Sequence, residues 1–202
     1  MSAPQVARVR EALIDLDDPP QGPGWNHDLV AEWIDSAPLV PAAVLVGVRD
    51  GGEENVLFTR RQARLAHHAG QVAFPGGRMD ADDVDLVDTA LRETEEEIGL
   101  PRSAIEPLGF LEPLETVSGF CVTPVVARVA ADAPPLRPSA DEVAEVFEVP
   151  LAFLLDPANM RSYMAEHRGR RHRMSEFLFD GHRIWGATAG MWFNLLQRMG
   201  VA

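Results

Sequence analysis

The sequence is short of three things. It has a single cysteine, Cys121, which excludes an intrachain disulfide framework, a zinc ribbon and a Cys-x-x-Cys redox pair. In the apolar stretch Gly119–Val126 this cysteine reads as a small buried side chain. Long apolar runs are also missing. The longest, Ala37 to Val48, is about twelve residues and contains Pro41, too short to span a bilayer. Residues 1–18 lack an apolar core of signal-peptide type and reach Glu11 and Asp15 early, so a cytoplasmic protein is expected. Positive charge is the third shortage. Against 31 Asp and Glu stand 18 basic residues, a formal charge of −13, which argues against a general binder of nucleic acid or of anionic membrane.

What is present suffices for a core. Of 202 residues 46 % are hydrophobic, with nine Phe and four Trp. At about 150 residues per domain, that length suits one domain with an extension. A short amphipathic helix near Val6–Ile14 is closed off by Pro19-Pro20 and Gly22-Pro23-Gly24, so residues 1–35 read as an N-terminal helical extension and 36–202 as a single domain. Ala42–Val48 and Asn55–Thr59 read as strands joined through Asp50-Gly51-Gly52. Further strand-like pieces lie at Ile105–Leu114 and Cys121–Ala130, and a short helix at Leu151–Leu155. Asp180-Gly181 joins Glu176–Phe179 to Arg183–Trp185 as a tight hairpin. A closing helix over about Ala187–Met199 sets Trp192, Leu195, Leu196 and Met199 on one stripe. Strands interspersed with helices indicate a mixed α/β (α+β) domain.

The charge is unevenly spread. Asp80–Glu97 holds nine acidic residues against Arg92 alone, a local charge of −8. As a helix, this segment gathers Val84, Val87, Leu91, Thr94 and Ile98 on one stripe and Glu93, Glu96 and Glu97 on the opposite side, within about 100° of arc. Glu93 and Glu97 repel as i, i+4 neighbours, and Glu96 and Glu97 oppose the helix dipole before Gly99 ends the helix. Stability alone does not favour that arrangement. Clustered oxygen ligands at fixed helical spacing suit a hard divalent cation such as Mg²⁺ or Mn²⁺. Just upstream, Asn55–Arg78 carries Arg60, Arg61, Arg64 and Arg78 with no acid, an anion-binding candidate. A second basic run, Arg161–Arg173, reads as a solvated loop.

The string Arg92-Glu93-Thr94-Glu95-Glu96-Glu97-Ile98-Gly99-Leu100, preceded by Gly76-Gly77, resembles the Nudix box. It departs from that box in three ways. The glycine-to-arginine spacing is one residue longer, the intermediate glutamate has no direct counterpart (Asp83 or Asp85 is nearest), and Thr94 replaces an aliphatic residue. The preceding Leu57-Phe58-Thr59-Arg60-Arg61 and Gln71-Val72-Ala73-Phe74-Pro75-Gly76-Gly77 resemble the coenzyme A diphosphatase branch. Arg183–Ala189 resembles that branch as well.

The resemblance implies the Nudix fold, an α/β/α sandwich with a mixed central sheet. It implies Mg²⁺- or Mn²⁺-dependent hydrolysis of coenzyme A or its derivatives to 3′,5′-ADP and (acyl-)4′-phosphopantetheine. Glu93, Glu97, Glu96 and the carbonyl of Gly77 then serve as metal ligands, Glu93, Glu96 and Arg92 as catalytic residues, and Glu142 as a candidate base outside the box. Arg60, Arg64, His68 and Gln71 become substrate contacts, with His67 and Trp185 as weaker candidates. The implied partner is a small coenzyme A-like nucleotide, without nucleic acid or membrane, and the homodimer that hydrolases of this kind often form is a candidate assembly. A Nudix diphosphatase of another nucleotide such as ADP-ribose or NADH, or a non-catalytic nucleotide sensor, remains an alternative.

Overall fold

A computed structural model describes residues 5–34, 37–65, 68–167 and 169–201. Helix α1 (Gln5–Arg10) and a single turn α2 (His27–Val30) lead into β1 (Val40–Arg49), β2 (Asn55–Arg61), β3 (Val72–Ala73) and β4 (Gly76–Arg78). Then come α3 (Leu86–Ile98), β5 (Ile105–Phe110), β6 (Leu114–Glu115), β7 (Phe120–Val129) and β8 (Val143–Pro150). The chain closes with α4 (Leu151–Leu155), β9 (Met160–His167), β10 (Arg170–Phe179), β11 (His182–Trp185) and α5 (Gly186–Arg198).

Strand β1 is the spine of the main sheet. It runs parallel to β7 over its whole length, from Val40 beside Phe120 to Arg49 beside Val129. Its other edge is divided: β4 takes Ala42–Val44 and β2 takes Val48 and Arg49, both antiparallel. β2 also pairs with β3 and β8, and β7 with β5 and β6, giving a mixed sheet. Alternation along the strands sorts the apolar residues into two layers. Ala43, Leu45, Leu57, Val125 and Ala127 pack under Ala90 and Ile98 of α3. Val46, Val48, Val56, Phe58 and Val126 face the other way, toward Leu154 of α4 and Trp192 and Leu195 of α5. Trp192 is fully buried, and its indole N–H donates to Leu154 O at 2.9 Å.

The N-terminal segment is built onto this body. Val6 and Val9 of α1 enter the second layer, and the N–H groups of Gln5 and Val6 donate to the Glu54 carboxylate. Ile14 and Phe110 exchange backbone hydrogen bonds of 2.9 Å. The hairpin at Asp180-Gly181 forms as expected, with φ of 45° and 79°. Residues 161–167 and 170–173, expected as part of a solvated loop, instead belong to β9 and β10. Cross-strand neighbours such as Arg171 with Glu166 and Glu176 with Arg161 set opposite charges side by side. Cys121 is half-buried rather than buried. Among the described residues no helix is long and apolar enough to cross a membrane.

Gly76 fixes how closely β4 approaches β1. Its φ is 151°, and a Cβ added there would lie 2.3 Å from Ala43 O. Gly76→Ala is therefore expected to lower stability by roughly 3 kcal/mol. An unchanged urea midpoint would contradict this close approach.

Candidate active site

The acidic run does not become helix throughout. Helix α3 begins at Leu86 because Asp85 caps it: the Asp88 N–H donates to Asp85 Oδ1 at 2.8 Å, while Asp88 Oδ2 accepts from the Val84 N–H at 3.1 Å. Val84, expected on the apolar stripe, precedes the helix and is 85 % exposed. Thr94, the departure from an aliphatic residue, is buried with its hydroxyl donating to Ala90 O at 2.6 Å.

The turn before the helix folds Asp83 back onto Arg92. Arg92 Nε donates to Asp83 Oδ1 at 2.7 Å and Nη2 to Oδ2 at 2.9 Å, a bidentate pair whose carboxylate is 3 % exposed. The Asp80 N–H and the Thr89 hydroxyl also donate to Asp83 Oδ2. The guanidinium beside it holds the Asp83 carboxyl well below the usual carboxylate range. The same guanidinium reaches the box acids through Nη1, at 2.9 Å from Glu93 Oε1 and 3.2 Å from Glu96 Oε2, and donates from Nη2 to Arg78 O at 3.1 Å. Arg92 thus braces the turn, β4 and two glutamates together.

The three glutamates occupy different environments. Glu97 is buried; it accepts the Gly76 N–H at 3.3 Å and has Arg61 Nη1 3.6 Å from its Oε1. Burial pushes its carboxyl up to about 7, against the opposing pull of Arg61. Glu93 is half-buried and also shifted upward by burial, with Arg92 opposing. Glu96 is 61 % exposed. Gly77 lies against Glu93: a Cβ there would come within 2.6 Å of the carboxyl group. Among the described residues, no three acid, thiol or imidazole groups already converge on one point.

These residues border a cleft of ≈ 510 Å³ lined by Arg78, Asp80, Arg92, Glu93 and Glu96, and by Phe120, Ser139 and Glu142 on loop and strand ends. Glu142 is placed by backbone hydrogen bonds. The Arg137 N–H donates to Ile98 O (2.7 Å) and the Ser139 N–H to Glu97 O (2.8 Å), satisfying carbonyls left open at the end of α3. The Gln62 N–H then holds Glu142 O at 2.8 Å. The Glu142 charge adds to the upward push on both Glu93 and Glu97.

Residues 38–167 match the NUDIX domain, which takes in the cleft, α3 and the central sheet. The chain belongs to the Nudix hydrolase family. It is 43 % identical over 159 residues to the Nudix hydrolase NudL of Cronobacter sakazakii, covering 79 % of this chain and 82 % of that protein. Against NudL of Escherichia coli O157:H7 it is 42 % identical over 160 residues, 79 % and 83 % of the two chains. Among solved structures, the Nudix hydrolase RenU of M. smegmatis shares the fold with a TM-score of 0.53 at 20 % identity, over 81 % of this chain and 88 % of that one. Nudix hydrolases act on nucleoside diphosphate derivatives and generally use divalent cations such as Mg²⁺ or Mn²⁺.

In this Nudix hydrolase the upstream signature divides at a bulge. The pairing of β2 with β8 shifts register between Arg60 and Arg61. Arg61 reaches Glu97, whereas Arg60 Nε donates to Glu145 Oε2 at 2.9 Å, an oxygen that also lies 3.3 Å from His182 Nε2. Arg64 donates to Asp141 and to Ala140 O. His68 Nδ1 and Gln71 Oε1 share a hydrogen bond of 3.0 Å. Arg60, Arg64, His68 and Gln71 lie outside the cleft lining, as does Trp185, whose ring faces the Arg183 guanidinium at 5.0 Å. His67 lies outside the described residues. From sequence, Arg61 is legible only as one of four arginines in the basic Asn55–Arg78 segment, and Asp83 only as one of two acids near the unmatched glutamate.

Proposed function

We propose that this Nudix hydrolase cleaves the diphosphate of coenzyme A or a derivative, releasing 3′,5′-ADP and (acyl-)4′-phosphopantetheine. The observation that carries this reading is that the Gln71–Gly77 signature runs through β3 into β4 and sets the Gly77 backbone against the carboxyl of Glu93, a residue lining the cleft.

The residues fit a hard cation. The missing Cβ of Gly77 lets the Glu93 carboxyl approach its backbone closely, and the buried Glu97 charge is met by one peptide N–H and an arginine at 3.6 Å. Glu93, Glu97 and Glu96, with the Gly77 carbonyl, would hold it. A bound Mg²⁺ or Mn²⁺ neutralises the diphosphate and acidifies a water. Arg92, locked by Asp83, keeps Glu93 and Glu96 in place. Glu96, the exposed glutamate of the three, accepts the proton of the attacking water, with Glu142 on the opposite wall as the second candidate base. The branch signature assigns Arg60, Arg64, His68 and Gln71 to the coenzyme A side.

A substrate panel with products identified by mass tests this. Coenzyme A should yield 3′,5′-ADP far faster than ADP-ribose yields AMP, and EDTA should stop both reactions until Mg²⁺ or Mn²⁺ is restored. Faster release of AMP from ADP-ribose would transfer the enzyme to the other branch.

A further inference from the structure

Two residues of the cleft, Phe120 and Arg78, have no part in holding the glutamates. Phe120 opens β7 and is half-buried at the rim. Its backbone is tied to Thr116: the Phe120 N–H donates to Thr116 Oγ1 at 3.0 Å, and Phe120 O accepts from the Thr116 N–H at 2.9 Å and from its hydroxyl at 3.2 Å. Phe58, Phe74 and Phe147 stack in the core, but among the described residues no aromatic ring packs on Phe120. A rigid, unstacked aromatic at the edge of a charged cleft offers a flat apolar face to a flat ligand.

Arg78 follows Gly77 on β4, and its side chain is 66 % exposed. Its carbonyl is fixed by Arg92, while its guanidinium meets Asp80 at 3.3 Å. Of the two cations lining the cleft, Arg92 is already engaged by Asp83, Glu93 and Glu96. Arg78 is paired only with the exposed Asp80, at 3.3 Å, so it is the one of the two that can exchange its partner for an incoming anion. The signature arginines Arg60 and Arg64 have their charges met by Glu145 and Asp141, outside the cleft.

We propose that Phe120 and Arg78 form the nucleotide wall of the cleft, with the Phe120 ring stacking on the substrate's base and Arg78 binding a phosphate oxygen beside the glutamates. This rests on the diphosphatase reading and names the residues that select a nucleoside diphosphate within it. A volume of ≈ 510 Å³ lies in the range of small-molecule sites and accommodates a nucleotide moiety.

Equilibrium binding of AMP and of ribose 5-phosphate in Mg²⁺ buffer separates the two contacts. Phe120→Ala should weaken AMP roughly tenfold and leave ribose 5-phosphate unchanged, since loss of base stacking is felt by the base alone. Phe120→Tyr, which keeps the ring, should restore AMP binding. Arg78→Ala should weaken both ligands by similar factors, about tenfold. Equal loss of both ligands in Phe120→Ala would make the ring a structural element and overturn the proposal. So would unchanged binding in Arg78→Ala, or the loss appearing in Arg60→Ala instead. A wild-type protein that hydrolyses nothing in the substrate panel defeats the diphosphatase reading. An active wild type whose Phe120 and Arg78 variants bind normally defeats the nucleotide wall alone.

Discussion

Glu97→Gln is expected to lower turnover by at least about a thousandfold while the variant folds as well as wild type, and better at pH 8. A cation's share of transition-state stabilisation is several kcal/mol, and each 1.36 kcal/mol is a factor of ten. The folding argument follows from burial. The Glu97 carboxyl, ordinarily near 4.5, is pushed up to about 7 in the fold. Between those values the folded protein keeps a proton that the unfolded chain releases, so the metal-free protein loses stability as pH rises from about 4.5 to about 7. The loss is on the order of 3 kcal/mol and stays lost above that window. Glutamine has the same shape without the charge, so its stability should be nearly flat there. Thermal unfolding in EDTA at pH 5 and pH 8, with turnover in Mn²⁺, reads both effects. Turnover within a few-fold of wild type would remove Glu97 from the metal site. A pH-independent wild-type Tm would remove the burial argument.

The second large effect is at Asp83. Asp83→Ala leaves the Arg92 guanidinium without its bidentate partner, and breaking such a pair from one side costs roughly 3 kcal/mol or more. Because Nη1 of the same group holds Glu93 and Glu96, kcat should fall about a hundredfold with a smaller change in KM. An Arg92→Ala, Asp83→Ala double variant should lose far less than the sum of the two single changes, since both act through one contact. A variant at Asp83 with wild-type kcat and urea midpoint would show that the brace is idle.

The readable parts of the chain were those governed by local rules. The hairpin at Asp180-Gly181, the helix at Leu151–Leu155 and the closing helix follow from turn chemistry and periodicity, and the structure places them within a residue or two. The box glutamates were legible because a helix fixes their angular relation. Three features were hidden by non-local causes. The acidic helix was read from Asp80, but Asp83 is drawn to Arg92 nine residues on and Asp85 turns cap, so Val84 is left outside. Which of Arg60 and Arg61 faces the glutamates depends on a bulge against β8, a partner more than eighty residues away. β9 and β10 carry charged residues along the ladder, such as Arg171 beside Glu166 and Glu176 beside Arg161, so no apolar alternation announces them. The parallel pairing of β1 with β7, which forms the spine of the sheet, likewise has no local signal.

The hydrogen bonds from Arg137 and Ser139 to the last carbonyls of α3 have a mechanical meaning. The strap bearing Ser139 and Glu142 is hooked to the helix that bears Glu93, Glu96 and Glu97, so these two jaws travel as one piece. Their gap is set by peptide geometry rather than by closure around a guest. Adjustment to different substrates is left to the side chains at the open end, and the enzyme gauges its diphosphate like a fixed caliper.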